Sequence, residues 1–262
     1  MKLQDKVIVV TGGGSGIGRA LVERFMREAP KALVAVDINS EGVNETASQC
    51  GCIAMTADLS NEADVVRIIE DTEQAHGPID LFCSNAGVAA GASEQSPDNE
   101  WQFSWDINVM SHVYAARHLV PRMVERGGGY LLNTASAAGL LNQIGGAAYG
   151  VTKHAAVGFA EWLSMTYAHK GIKVSVLCPQ AVRTAMTMTD SDSEMVKAAA
   201  ADGMMEADEV ADIVVEHIDR DAFLILTHEE VKTYMARKAS DYDRWVGGMN
   251  KLHRHLSGEV SQ

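Results

Sequence analysis

Residues 6–10, Lys-Val-Ile-Val-Val, form a short apolar run that leads directly into Thr11-Gly12-Gly13-Gly14-Ser15-Gly16-Ile17-Gly18. Beyond it, Ile17, Leu21, Val22 and Phe25 recur on one face of a helix. Strand, glycine loop and helix in this order narrow the possible folds sharply. Glycines allow a tight turn and close approach of another group to the backbone. The helix start then presents free N–H groups and a partial positive charge to an anion. A flexible turn is the plainer explanation of the glycines, but their place at the first strand–helix junction favours phosphate binding.

The alternation continues along the chain. Residues 31–36, 52–56, 79–83, 129–135, 172–178 and 223–227 read as six more short apolar strands. Helical periodicity fills the intervals near 61–76, from Pro97 onward, 147–169 and 207–218. The long helix after Pro97 carries Trp101, Trp105, Val109, Val113, Ala116 and Val120, and Pro121 is expected to bend or end it. The predicted fold is α/β, a doubly wound seven-stranded parallel sheet with helices on both faces. Residues 1–228 form one dinucleotide-binding and catalytic domain in this reading. Residues 229–262 form a helical tail, packed on the domain or on a neighbouring subunit. The tail carries Val231, Met235, Tyr242, Trp245, Met249, Leu252 and Leu256 at near-heptad spacing, interrupted by Gly247-Gly248.

The second strand ends at Asp37, 19 residues past Gly18. That is close to the ~20 expected for a carboxylate that binds a ribose 2′-hydroxyl. Such a carboxylate repels a 2′-phosphate, and Ser15, Ile38 and Asn39 supply no cation to offset it. NAD(H) is therefore expected over NADP(H). Asp58 follows the third strand and either accepts from an adenine amino group or caps a turn. The fourth strand ends in Ser84-Asn85-Ala86-Gly87, small residues suited to backbone packed against a cofactor.

Tyr149 and Lys153 are four residues apart, hence on one face of a helix. An ammonium beside a phenol favours phenolate. Bringing the phenol from ~10 to near 7 needs roughly 4 kcal/mol of such help. Ser136, at the end of the fifth strand, offers a hydroxyl that can hold a substrate oxygen. Alone, a Tyr-xxx-Lys pair arises by chance in about a quarter of chains of this composition. The surrounding pattern gives it meaning. The Tyr149 helix also has a second apolar stripe, Val151, Ala155, Phe159, Trp162 and Thr166, which suggests a subunit contact. Residues 185–205, rich in Met, read equally well as a mobile lid or as an ordinary packed helix.

Composition excludes several classes. The net charge of −13 argues against nucleic acid and anionic membranes as partners. No apolar run approaches the ~18 residues of a membrane span, and no signal peptide is visible, so a cytoplasmic location is the default. The cysteines at 50, 52, 83 and 178 match no zinc spacing and read as reduced thiols. His253-x-His255 reads as solvated, and no metal site is expected.

Taken together, the chain resembles the short-chain dehydrogenase/reductases. The matching pieces are Thr11 to Gly18, Asp58, Asn85-Ala86-Gly87, Asn108, Ser136, Tyr149-Gly-Val-Thr-Lys153, and Pro179 with Val182 and Thr184. They fall in family order over residues 1–227. The resemblance implies that Tyr149 is the general acid/base and that Lys153 lowers its pKa and binds the nicotinamide ribose. Ser136 would hold the reacting oxygen, and Asn108 would position a water between Lys153 and solvent. Cofactor contacts are implied for Gly12, Ser15, Gly16, Ile17, Gly18, Asp37, Ile38, Asp58, Leu59, Asn85, Ala86, Gly87, Tyr149, Lys153, Pro179, Val182 and Thr184. Substrate contacts fall to Ser136, Tyr149 and Gln180. Gln180 stands where the family usually has Gly, so it contacts substrate or shifts its loop. Members are commonly homodimers or homotetramers.

The expected activity is hydride transfer between NAD(H) and a secondary alcohol or ketone. Ala138, Leu140, Ile144, Met186 and Met188 suggest a mainly apolar substrate. The alternatives are a non-catalytic NAD-binding regulator on the same fold and a sugar-nucleotide epimerase or dehydratase. The second usually needs a larger carboxyl-terminal domain than this chain has.

Overall fold

In β1 (Val7–Thr11), Val7 and Val9 join one buried cluster, and Ile8 and Val10 join another. β2 (Ala32–Asp37) repeats the division, with Val34 and Val36 opposed to Leu33 and Ala35. Successive strand side chains point to opposite faces. A strand apolar throughout is therefore buried on both sides, as in a parallel sheet covered by helices. The computed structural model, which describes residues 1–259, shows that sheet. The last three residues of the expected tail, 260–262, lie outside the described residues.

The other strands are β3 (Ile53–Thr56), β4 (Leu81–Ser84), β5 (Gly129–Thr134), β6 (Ile172–Cys178) and β7 (Leu224–Leu226). Their order is β3-β2-β1-β4-β5-β6-β7, and every pairing is parallel. This is the expected doubly wound fold. On one face lie α3 (Glu62–His76), α5 (Ser111–Glu125) and α7 (Ala147–Tyr167), buried through residues such as Ile68, Leu119 and Leu163. On the other lie α1 (Gly16–Met26), α2 (Ser40–Cys50) and α10 (Ala207–Asp219), buried through Leu21, Val43 and Val214. The strand order reverses between β1 and β4. Loops leaving their carboxyl ends diverge and open a crevice there.

Three local features of the helices are not evident from the apolar pattern. The helix after Pro97 is not regular: α4 (Asp98–Trp105) passes through a π-turn at Asp106–Met110 before α5 begins. The wider turn shifts the helical phase. Ile107, Asn108 and Val109 turn inward consecutively, while Trp105 is left exposed. Pro121 does not end α5, which continues to Glu125. Pro121 and Arg117 are both exposed, so water can reach the Arg117 carbonyl that Pro121 cannot serve. Gly247-Gly248 does not interrupt the tail helix either. After α11 (Glu230–Ser240), α12 runs from Tyr242 to Leu256 through both glycines.

The segment between β6 and α10 leaves the sheet at Val182 and returns at Met205, where the two form a parallel bridge. Arg183 N–H donates to the Met205 carbonyl and Met205 N–H to Ala181. Between these points the chain forms short helical turns, α8 (Ala185–Met188), α9 (Glu194–Ala199) and a 3-10 turn at Ala200–Asp202. After β5 comes α6 (Ala138–Leu141). Among the described residues no helix is long and apolar enough to cross a membrane.

Candidate active site

The glycine loop sits at the switch point because side chains there would collide. A Cβ on Gly18 would stand 2.0 Å from the Gly12 carbonyl oxygen. Gly12 and Gly16 have φ of +69° and +52°, where L side chains are strained. Thr11 fastens the loop to the next segment. Its hydroxyl donates to the Cys83 carbonyl and accepts from Asn85 N–H at 2.9 Å. The Asn85 amide donates back to the Thr11 carbonyl at 3.1 Å, leaving Asn85 Oδ1 buried without a partner.

The start of α1 differs from that of its neighbours. Asn39 and Asn61 side chains cap α2 and α3, but Ser15 makes no such bond to α1. Its first-turn N–H groups therefore stay available to an anion. Asp37 accepts from Gly14 N–H and from Asn39 N–H, each at 2.9 Å. Asp58 caps its turn through the Ser60 N–H and hydroxyl, and it also lines the cleft. Arg19 is committed to the Gly14 carbonyl and the Glu45 carboxylate, so it leaves the Asp37 side without a free guanidinium from α1.

Lys153 is 3 % exposed, and its ammonium donates to the Thr134 carbonyl at 3.1 Å. It lies 5.6 Å from the centre of the Tyr149 ring. Gly87 and Gly139 make room for it. A Cβ on Gly87 would stand 3.1 Å from Lys153 Nζ, and one on Gly139 would stand 2.4 Å from the Lys153 carbonyl oxygen. Burial lowers the Lys153 pKa to about 8. Burial also raises Tyr149 above the ordinary phenol value, and the Ser136 hydroxyl beside it pulls the other way. In the protein alone, loss of water is the largest influence on the Tyr149 phenol, and the Ser136 hydroxyl is the one that opposes it. Ser136 is held by the Pro179 carbonyl and by Ala138 N–H.

One cleft of about 370 Å³ gathers nearly all the residues singled out from sequence. Gly12, Ser15, Gly16, Ile17, Gly18, Asp37, Ile38, Asp58 and Leu59 line one end. Asn85, Ala86, Gly87, Ser136, Tyr149, Lys153, Pro179, Gln180, Val182 and Thr184 line the remainder. Asn108 stands behind this wall. It is fully buried, its Oδ1 accepts from Val88 N–H, and its Nδ2 donates to the Val88 carbonyl and to the Thr152 hydroxyl. With both amide hydrogens engaged, its side chain steadies the segment after β4.

Gln180 lines the cleft and is also fixed from behind. Its Nε2 donates to the Ala199 carbonyl at 3.0 Å and to Asp202 Oδ2 at 2.8 Å. Among the apolar candidates, Met186 lines the cleft, while Ala138 and Ile144 line an adjoining cavity. Leu140 packs on the core and Met188 is exposed. Val88, Phe103, Ile107, Thr134 and Ala135 also line the cleft. Ile107 is turned inward by the π-turn, which has no mark in the periodicity, and Phe103, on α4, lies outside the apolar stripe of that helix. Among the described residues no group of side chains could hold a metal.

Free N–H groups, a side-chain-free cradle, an orphaned Asn85 oxygen and a carboxylate at the far end make a donor set that fits a dinucleotide. The short chain dehydrogenase model matches residues 6–195. A 1-deoxy-11-beta-hydroxypentalenate dehydrogenase from Streptomyces exfoliatus is 32% identical over 255 residues, covering 94% of this chain and 91% of that protein. A levodione reductase from Leifsonia aquatica is 31% identical and covers 84% and 90%. A short chain dehydrogenase/reductase from Burkholderia phymatum, solved in complex with NAD, superimposes with a TM-score of 0.86 at 28% identity, over 93% and 96% of the two chains. The chain belongs to the short-chain dehydrogenase/reductase family.

The depressed Lys153 has a consequence for stability. The unfolded chain binds this proton more tightly than the folded one between pH 8 and the ordinary lysine value of 10.5. Stability therefore rises with pH across that window. Urea unfolding of the cofactor-free protein should show wild type gaining about 3 kcal/mol on Lys153→Met between pH 7 and 10.5. Parallel pH curves would show that the buried ammonium carries no such penalty.

Proposed function

We propose that this protein is an NAD(H)-dependent oxidoreductase that interconverts a secondary alcohol and its ketone, with Tyr149 as general acid/base. The observation that carries the reading is the convergence of Ser136, Tyr149 and Lys153 on one end of a cleft whose other end is the glycine loop and Asp37. Bound NAD⁺ supplies the hydride acceptor. The glycine loop and the α1 start would hold its pyrophosphate, Asp37 its adenosine ribose, and Lys153 its nicotinamide ribose.

In the oxidative direction Ser136 donates to the alcohol oxygen and fixes it beside Tyr149. Tyr149 takes the hydroxyl proton as the carbon loses hydride, and returns a proton to the oxygen in reduction. Lys153 remains mostly protonated at neutral pH, given its pKa of about 8. It is therefore the cation available to favour phenolate once the cleft is filled. Asn108 acts through Val88 and Thr152 as a positioning residue.

An apolar substrate is supported by Ala138 and Ile144 in the adjoining cavity and by Met186 at the cleft. Levodione, 1-deoxy-11-beta-hydroxypentalenate and simple alicyclic ketones form the first panel to assay. Tyr149→Phe should bind NADH normally and lose at least ~100-fold in kcat; near-normal turnover would remove Tyr149 from its role.

Wild type should show a higher kcat/KM with NADH than with NADPH, and Asp37→Ala should narrow the gap. A preference for the phosphorylated cofactor in wild type would overturn the assignment of Asp37.

α4 exposes Trp105, and α7 exposes Val151, Trp162 and Met165. So much apolar surface fits a homodimer or homotetramer interface. Light scattering should give a multiple of the chain mass, reduced in Trp162→Glu. A monomeric wild type would refute the assembly.

A further inference from the structure

The cleft does not end at Ser136. Ser136 and Gln180 also line a second cavity of about 260 Å³, and its far wall comes from the tail, through Tyr234, Trp245, Met249 and Leu252. Gln180 is joined to that wall through one residue. Its amide donates to Asp202 Oδ2, and the Tyr234 hydroxyl donates to Asp202 Oδ1 at 2.8 Å. The orientation of the Gln180 amide is forced, because Ala199 and Asp202 both present acceptors and only the NH₂ end can serve them. Both amide hydrogens are committed to the strut, so the side chain leaves no free donor for substrate, and its remaining polar atom, Oε1, is a buried acceptor without a partner.

Near its start the tail is anchored by Val231, which α11 buries completely, and beyond that its fastenings are few. Lys238 donates to the Leu140 carbonyl at 2.7 Å, and His253 approaches Glu194 at 3.3 Å. α12 buries no residue fully. An element so lightly held opens at low cost unless it is clamped.

We propose that the carboxyl-terminal tail is a wall of the substrate pocket of its own subunit, and that Gln180, Asp202 and Tyr234 form the clamp that seats it. The three are positioning residues that set the pocket's size for an apolar alcohol or ketone. The proposal rests on the activity reading above for its substrate, not for the clamp. The two links are in series: breaking either one releases the tail from the end of β6. Loss of one should therefore make loss of the other almost harmless.

The test uses the full-length protein as Gln180→Ala, Tyr234→Phe and the double variant. Each single variant should raise substrate KM about tenfold, keep kcat within about threefold, and leave NADH affinity unchanged. The double variant should match the worse single variant. Trypsin should cut faster at Arg237, Lys238 or Arg244 in all three, with NADH present. An unchanged KM despite faster cutting would show that the tail is no part of the pocket. Multiplying losses, or a joint fall in kcat and NADH affinity, would overturn the clamp in favour of general damage. If wild type turns over nothing in the panel, the activity reading fails separately. Cutting rates alone then decide: unaltered rates refute the clamp, and faster, non-additive rates support it.

Discussion

A buried lysine governs much of the architecture around the site. An ammonium withdrawn from water must be compensated by nearby acceptors, or it sheds its proton. Lys153 finds the Thr134 carbonyl at the end of β5 and little else, and burial takes its pKa to about 8. Placing that group there requires the backbone to come close from two sides. Gly87 and Gly139 lack side chains at the points where a Cβ would meet Lys153 Nζ or its carbonyl oxygen. Asn108 and Thr152 then lock the Val88 segment in place behind it. The π-turn is the device that brings Asn108 inward, at the expense of Trp105, which it leaves in solvent.

The same economy explains His112. It is 1 % exposed, shares a bond with Asn133 Oδ1 at 3.1 Å, and is pushed down to about 3, first by burial and then by the charge on Lys153. A second cation so near would compound the desolvation already imposed on Lys153. A neutral imidazole avoids it.

Much of this was legible in the sequence, and the reason differs by residue. Strand runs and the glycine loop could be read because a buried parallel strand must be apolar on both faces and because a Cβ on Gly18 is sterically excluded. Tyr149 and Lys153 could be paired because helix geometry alone puts them together. Asn108 could be singled out as a polar residue beside an apolar stripe, but not its partners, since Val88 and Thr152 come from distant segments. Helices α5 and α12 run through Pro121 and Gly247-Gly248 because propensity is a local preference that exposure or packing can override. The partners of Gln180 were out of reach, because Asp202 and Tyr234 lie 22 and 54 residues further on.

The two ends of the cleft are built from different materials. The Asp37 end uses backbone N–H groups, missing side chains and one carboxylate, so few sequences satisfy it and those are recognisable. The Ser136 end uses side chains from α6, the turns after α8, and the tail, and any apolar set of suitable volume would close it. Packing by volume is permissive in sequence and strict only in shape. A polar strut within such a wall is not permissive. Each of its members, unpaired, would cost more than an apolar replacement. The Gln180–Asp202–Tyr234 chain is the part of the wall that the rest of the packing does not require, and its most direct physical effect is to fix where the tail stands.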